Sequence, residues 1–322
     1  MTSVLNDIDF ESSVKKRLGM YIGNDHVLGL FTGLISDCID ICKTEEIRFT
    51  IRILADNQFS LGVFSEKNIT PFVDGFHQSV SLGNMLFHVL KIVSKVFEIK
   101  HINENEVLVN FELDTSIVNN TSIDYHELCE KVMLLAILHR NAEIITKDLR
   151  RRFNNENYFH FPLGVFYLLD RLVKKDLCKP VFKVRYDGFI QETHYQIGIV
   201  YCTHWSPKPT ILSFANENNT TRGGSLVNGI LDGLTSGYRL YAKNNGLTDL
   251  TIAKKEVYNG LILVCAVKGE DFVYSGSYFK ETLENDEVKS QAKKLVAKLA
   301  YDGLMENKEF ANDFILRFNK KT

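Results

Sequence analysis

The sequence predicts an α+β fold in two domains, and three observations carry that prediction. The chain has 322 residues, enough for about two domains at roughly 150 residues each. Ile47 to Phe64 alternates apolar and polar residues around Ala55–Asp56–Asn57, the pattern of a hairpin. Ser213 to Tyr238 then joins a strand to a helix through a polar Asn/Thr loop and the pair Gly223–Gly224. In that helix Leu226, Ile230, Leu234 and Tyr238 recur every four residues beside Val227 and Leu231, so one face is apolar. A polar stretch at Asn154–Asn155 divides the two patterns, and the expected domains are 1–155 and 156–322.

Composition narrows the function classes. A hydrophobic fraction of 45% with 22 Phe and 13 Tyr supplies material for packed cores. The net charge of −2 gives no global attraction to nucleic acid, so a DNA contact must rest on a local patch. No run approaches the roughly 18 apolar residues of a membrane span, and the N-terminus is polar; the expectation is a cytoplasmic protein with no membrane partner. Cys38, Cys42, Cys129, Cys178, Cys202 and Cys265 form no CxxC motif. Cys38 and Cys42 lie one helical turn apart, but no second ligand pair follows, so buried reduced thiols and no metal are expected.

Taken in order, Ser13 to Gly23 (SVKKRLGMYIG) is a basic helix end closed at Gly19 and a turn at Gly23. Leu28 to Cys42 is a helix carrying Gly33 and Asp37, the latter by default a solvated helix carboxylate. After the Ile47–Phe64 hairpin come Gly75 and His77, where a surface or capping histidine is the plain reading. Val80 to Phe97 is expected to be helical, Phe97 to Leu113 to form strands about an Asn103–Glu104–Asn105 turn, and Tyr125 to Leu138 to form a second amphipathic helix. Arg150, Arg151 and Arg152 form a short basic run, either a solvated strand end or a contact for DNA or phosphate. In the second half, Phe159 to Leu172 is a short helix, and Tyr195 to Trp205 and Leu261 to Val267 are strands. Asp286 to Phe318 is a long helical pattern broken near Gly303.

Two segments then carry a family resemblance. Ser213, Phe214, Asn216, Asn219, Thr220, Gly223, Gly224 and Gly229 match the signature SF-x-N-x-I-N-T-x-x-GG-T-H-x-x-GF, with Leu226 in place of its His and Ile230 in place of its Phe. VKKRLGMYIG matches VRKRPGMYIG except at Lys15 and Leu18. In both, the chain resembles the ATPase region of type IIA DNA topoisomerase B subunits, those of gyrase and topoisomerase IV. The resemblance implies a reduced GHKL-type α/β sandwich followed by a ribosomal S5-like transducer domain. It implies no counterpart of the family's TOPRIM domain after Phe318.

The same resemblance marks a nucleotide site whose motifs are eroded. ISDCID aligns with the family's VDNAID, which puts Gly33 at the catalytic glutamate and Asp37 at the magnesium-binding asparagine. Glycine has no carboxylate and cannot act as a general base. Val63 stands at the adenine-reading aspartate, and the DDGRGIP glycines are absent. Gly75 and His77 are remnants of GGLHGVG, with Gln78 and Val80 where phosphate-cradling glycines belong, and the lid before them is expected to be deleted. Aligning Glu287–Ser290 with the family's S-E-V-[KR]-S puts Lys280 at the transducer lysine that meets the terminal phosphate and Tyr278 at its glutamine. The expectation is a pseudo-ATPase with no catalytic residues and no cofactor, pairing with itself or with a topoisomerase B-type subunit and acting on DNA through a local patch. The alternative is a divergent ATPase that holds Mg-ATP through Asp37, Gly75 and Lys280.

Overall fold

The computed structural model describes residues 7–23, 26–42, 46–66, 85–151, 155–175, 179–202, 209–247, 249–275 and 280–318. The chain divides into two compact units, Met1–Pro162 and Leu163–Thr322. The boundary expected after residue 155 would cut a strand from its sheet, because Asn155–Phe159 pairs with Ala142–Asp148.

The first unit contains α1 (Asp7–Lys16), α2 (Leu18–Ile22), α3 (His26–Cys42), β1 (Ile47–Ala55), β2 (Gln58–Ser65), α4 (Met85–Ile92), β3 (Ser94–Asn103), β4 (Glu106–Leu113), α5 (Tyr125–Leu138), β5 (Ala142–Asp148) and β6 (Asn155–Phe159). The strands form one sheet in the order β3-β4-β2-β1-β5-β6. The β1–β5 pair is parallel, and the other pairs are antiparallel. Alternation decides which face is covered. Ile47, Phe49, Ile51 and Ile53 of β1 point into the core, whereas Arg48, Arg52 and Leu54 do not. Phe31, Leu34 and Ile35 of α3, Val89 and Leu90 of α4, and Leu128 and Val132 of α5 fill the same core. Asp124 caps α5 by accepting a hydrogen bond from the Glu127 N–H. The helix expected over Val80–Phe97 is shorter among the described residues. It ends at Ile92, and Ser94 already begins β3, where β-branched and aromatic residues favour the sheet.

The second unit contains α6 (Phe166–Lys175), β7 (Pro180–Ile190), β8 (Thr193–Cys202), β9 (Thr210–Ala215), β10 (Asn218–Asn219), α7 (Ser225–Asn244), α8 (Lys254–Val257), β11 (Leu261–Lys268), β12 (Tyr274–Ser275), β13 (Thr282–Leu283), α9 (Asp286–Glu306) and α10 (Lys308–Phe318). Its main sheet runs β10-β9-β11-β8-β7. Tyr195 to Cys202 and Leu261 to Val267 are buried at every position, as strands covered on both faces must be. On one face lie α7 and α9, which run parallel and close together. A Cβ on Gly229, Gly233 or Gly237 would meet the carbonyl oxygen of Lys289, Lys293 or Ala297 at 2.5, 2.7 or 2.4 Å. The helical break expected near Gly303 falls instead between Glu306 and Lys308. Gly303 is helical and lets the Phe182 ring approach, 2.3 Å from where a Cβ would stand. Cys38, Cys42, Cys129 and Cys265 are free thiols, while Cys202 is disulfide-bonded, which corrects the expectation of reduced thiols at that position.

Candidate functional site

In the first unit, α3 and β2 carry Gly33, Asp37 and Val63, which the resemblance aligns with the family's nucleotide motifs. Gly33 lies midway along α3 where α4 packs onto it, and a Cβ there would sit 2.5 Å from Leu86 Cδ1. Asp37 follows one turn later and is half-buried. Its charge, together with burial and the Cys42 thiol, pushes the Cys38 thiol well above the ordinary range, burial being the main cause. Val63 lies between Phe49 of β1 and Val107 of β4 in the sheet register. It is 5% exposed and belongs to the core. Gly75, His77 and the expected lid lie outside the described residues. Among the described residues no group of three or more His, Cys, Asp or Glu side chains could hold a metal ion.

The basic run at Arg150–Arg152 is divided by its surroundings. Arg150 donates from Nε and Nη2 to the two oxygens of Asp148, both at 2.9 Å, and from Nη1 to Asp56 at 3.1 Å. Asp148 is buried, and hydrogen bonding to Arg150 holds its carboxyl below the ordinary value. That guanidinium is therefore committed inside the fold rather than offered to a phosphate. Arg151 is exposed, and Arg152 lies outside the described residues.

In the second unit, the signature residues brace the loops around Lys280. Asn216 adopts a left-handed backbone (φ +51°) that few residues other than glycine tolerate. Its side chain donates to the Gly269 carbonyl at 3.0 Å and accepts from the Gly269 N–H at 3.1 Å. Thr220 is buried and donates within the β9–β10 turn to Ser213 O at 3.0 Å, with a 2.8 Å contact to Ser213 Oγ. Gly224 (φ +108°) runs so close to β13 that a Cβ would lie 2.3 Å from the Leu283 carbonyl oxygen, and the Leu283 N–H donates to Gly223 O at 3.2 Å. Beyond that crossing, Lys280 is exposed, left-handed at φ +49°, with its ammonium 5.3 Å from the centre of the Tyr274 ring. Tyr274 in turn donates to Ala215 O at 3.1 Å. Sequence reasoning missed these clamps, because Asn216 and Gly269 meet only when β9 and β11 pair.

A family model described as DNA gyrase B matches residues 164–321, nearly the whole second unit. The DNA gyrase B polypeptide of Archaeoglobus fulgidus is 30% identical over 223 residues, covering 68% of this chain and 34% of that protein. The chain is a relative of the ATPase region of type IIA topoisomerase B subunits. The DNA gyrase B polypeptide of Streptococcus pyogenes serotype M3 is 28% identical over 214 residues, which cover 64% of this chain and 32% of its own length. The chain thus spans about a third of the length of the curated gyrase B proteins it matches. The fold extends further than the sequence similarity. The 43K ATPase domain of Thermus thermophilus gyrase B, solved with an aminocoumarin, superposes with a TM-score of 0.77 at 18% identity over 96% of this chain and 94% of its own. The topoisomerase IV ATP-binding domain of Francisella tularensis, solved with a small-molecule inhibitor, gives 0.72 at 18% identity over 95% of each chain. Both units therefore have the gyrase B ATPase and transducer fold.

Proposed function

We propose that this gyrase B-like chain is a non-catalytic binding module that acts by pairing with itself or with a topoisomerase B-type subunit. One observation carries the reading. The position that aligns with the general base is a glycine against which the Leu86 side chain packs, so this position supplies no carboxylate. Loss of a general base alone costs roughly 10²–10⁴ in rate. At the adenine-reading position the aliphatic Val63 is locked in the core and offers no polar group. DNA is a reasonable further partner, because Lys289, Lys293, Lys294 and Lys298 are all exposed along α9. Such contacts would make binding fall steeply with salt, at a slope of roughly −0.9 per neutralised phosphate.

The test is a calorimetric titration with magnesium and a non-hydrolysable ATP analogue. Absence of binding at millimolar analogue supports the pseudo-ATPase; micromolar affinity overturns it. A pull-down or mass measurement then separates the partners, and a strictly monomeric protein that recovers no topoisomerase component would remove the pairing. The second reading, a divergent Mg-ATP clamp using Asp37, Gly75 and Lys280, draws on the left-handed, ring-braced Lys280, since strained backbone collects at functional sites. It predicts magnesium-dependent hydrolysis abolished by Lys280→Ala.

A further inference from the structure

At one end of the second unit's sheet, the β7–β8 turn, the loop after β11 and the start of α9 enclose an open hollow of about 920 Å³. Its aromatic surface comes from Phe189 and Phe272, and its carboxylates from Glu192, Glu270, Asp271 and Glu287. We propose that this hollow receives the guanidinium or ammonium group of a basic segment on a protein partner.

Phe189 is 69% exposed, yet its ring is held in place. The His194 imidazole packs on it with ring centres 4.8 Å apart, and His194 Nε2 lies 2.7 Å from an Asp187 oxygen. The loop opposite is equally fixed. Asn216 clamps Gly269 from both sides, and Asn285 accepts from the Val273 N–H at 2.9 Å and donates to the Asp271 carbonyl at 3.3 Å. Asp271 is thereby kept left-handed at φ +55°, with Glu270 exposed beside it. At the start of α9, Glu287 accepts from Gln291 at 3.0 Å, and Gln291 also donates to Gln191 of the facing turn at 2.8 Å. These braces hold the aromatic and acidic groups in place before any ligand arrives, which lowers the ordering cost of binding.

The chemistry selects a cation. The lining has four carboxylates against one lysine, Lys268. Among the described residues no ion pair engages Glu192, Glu270 or Asp271. Planar aromatic faces next to carboxylates suit guanidinium and ammonium groups, which take ring contacts and charge-assisted hydrogen bonds together. An anionic or neutral apolar ligand would leave these carboxylates unanswered. The proposal does not depend on nucleotide binding in the first unit.

The test titrates the full chain with an acetylated hexa-arginine peptide and with its citrulline counterpart, which keeps the shape and loses the charge, at low and at physiological salt. The expected result is binding of the arginine peptide only. Affinity should fall about tenfold or more in the Glu192→Gln/Glu270→Gln double variant, less in Phe189→Ala, and not at all in Glu306→Gln/Glu309→Gln, which neutralises two carboxylates outside the hollow. Phe189, Glu192 and Glu270 are exposed, so these variants should fold, and an unchanged melting temperature verifies it. Equal loss in the Glu306/Glu309 variant would reduce the binding to overall charge and overturn the proposal. So would failure of the arginine peptide to bind the unaltered protein at millimolar concentration, or equal binding of the citrulline peptide.

Discussion

In the second unit Asn216, Thr220, Gly223 and Gly224 each have work inside the fold, clamping Gly269, closing the β9–β10 turn and crossing β13. In the first unit the positions that the resemblance aligns with the family's nucleotide motifs hold groups that pack: Gly33 makes room for Leu86, and Val63 fills the core. The difference separates two reasons for a motif. A residue that shapes the backbone is held in place by the fold itself, whatever its chemistry. A residue that serves chemistry alone can be replaced by whatever packs best.

Five substitutions break or sharpen that contrast. Val63→Asp places a carboxylate at a position 5% exposed. A buried unpaired charge costs about 4 kcal/mol, so urea denaturation should show a large loss of stability with no gain of nucleotide affinity. A gain of affinity would mean that the first unit is a masked nucleotide site. Gly233→Leu forces α7 away from the Lys293 carbonyl, 2.7 Å from the position of the new Cβ, and should cost about 3 kcal/mol by the same measurement.

Gly33→Glu meets only the flexible end of Leu86, so a smaller loss of about 1–2 kcal/mol is expected, with no ATP hydrolysis. Adding Leu86→Ala relieves the clash, and the double variant should lose less than the sum of the singles. Non-zero hydrolysis in either variant would return the catalytic reading. Arg150→Ala should have the smallest effect, about 1 kcal/mol at pH 7. The Asp148 carboxyl is held low in the folded state, so its stabilisation is present above the unfolded value near 3.9 and is lost as pH falls through the folded value. The gap between wild type and Arg150→Ala should therefore narrow as pH falls below the unfolded value, as read by unfolding at several pH values.

Much of this molecule was legible before any coordinates. The Ile47–Phe64 hairpin and the Tyr125–Leu138 helix could be read because a one-sided core imposes periods of two and of about 3.6. The boundary at 155 was misplaced because Asn154–Asn155 looks like a linker in composition, yet Asn155 pairs with Asp148 across the sheet. Arg150 looked like part of a basic patch because sequence shows charge but not its partner.

The sequence by itself determined the α+β class and the family resemblance, because each depends on residue type and local spacing. Tertiary structure alone decided that Leu86 fills the space beside Gly33, that Asn216 holds Gly269, and that two acidic turns face each other across a hollow. Glu192 and Glu270 are distant in the chain. They line one hollow because β8 and β11 pair antiparallel with His194 opposite Lys268. A contact of that kind arises from strand register and helix packing, which bring together residues that no local pattern connects.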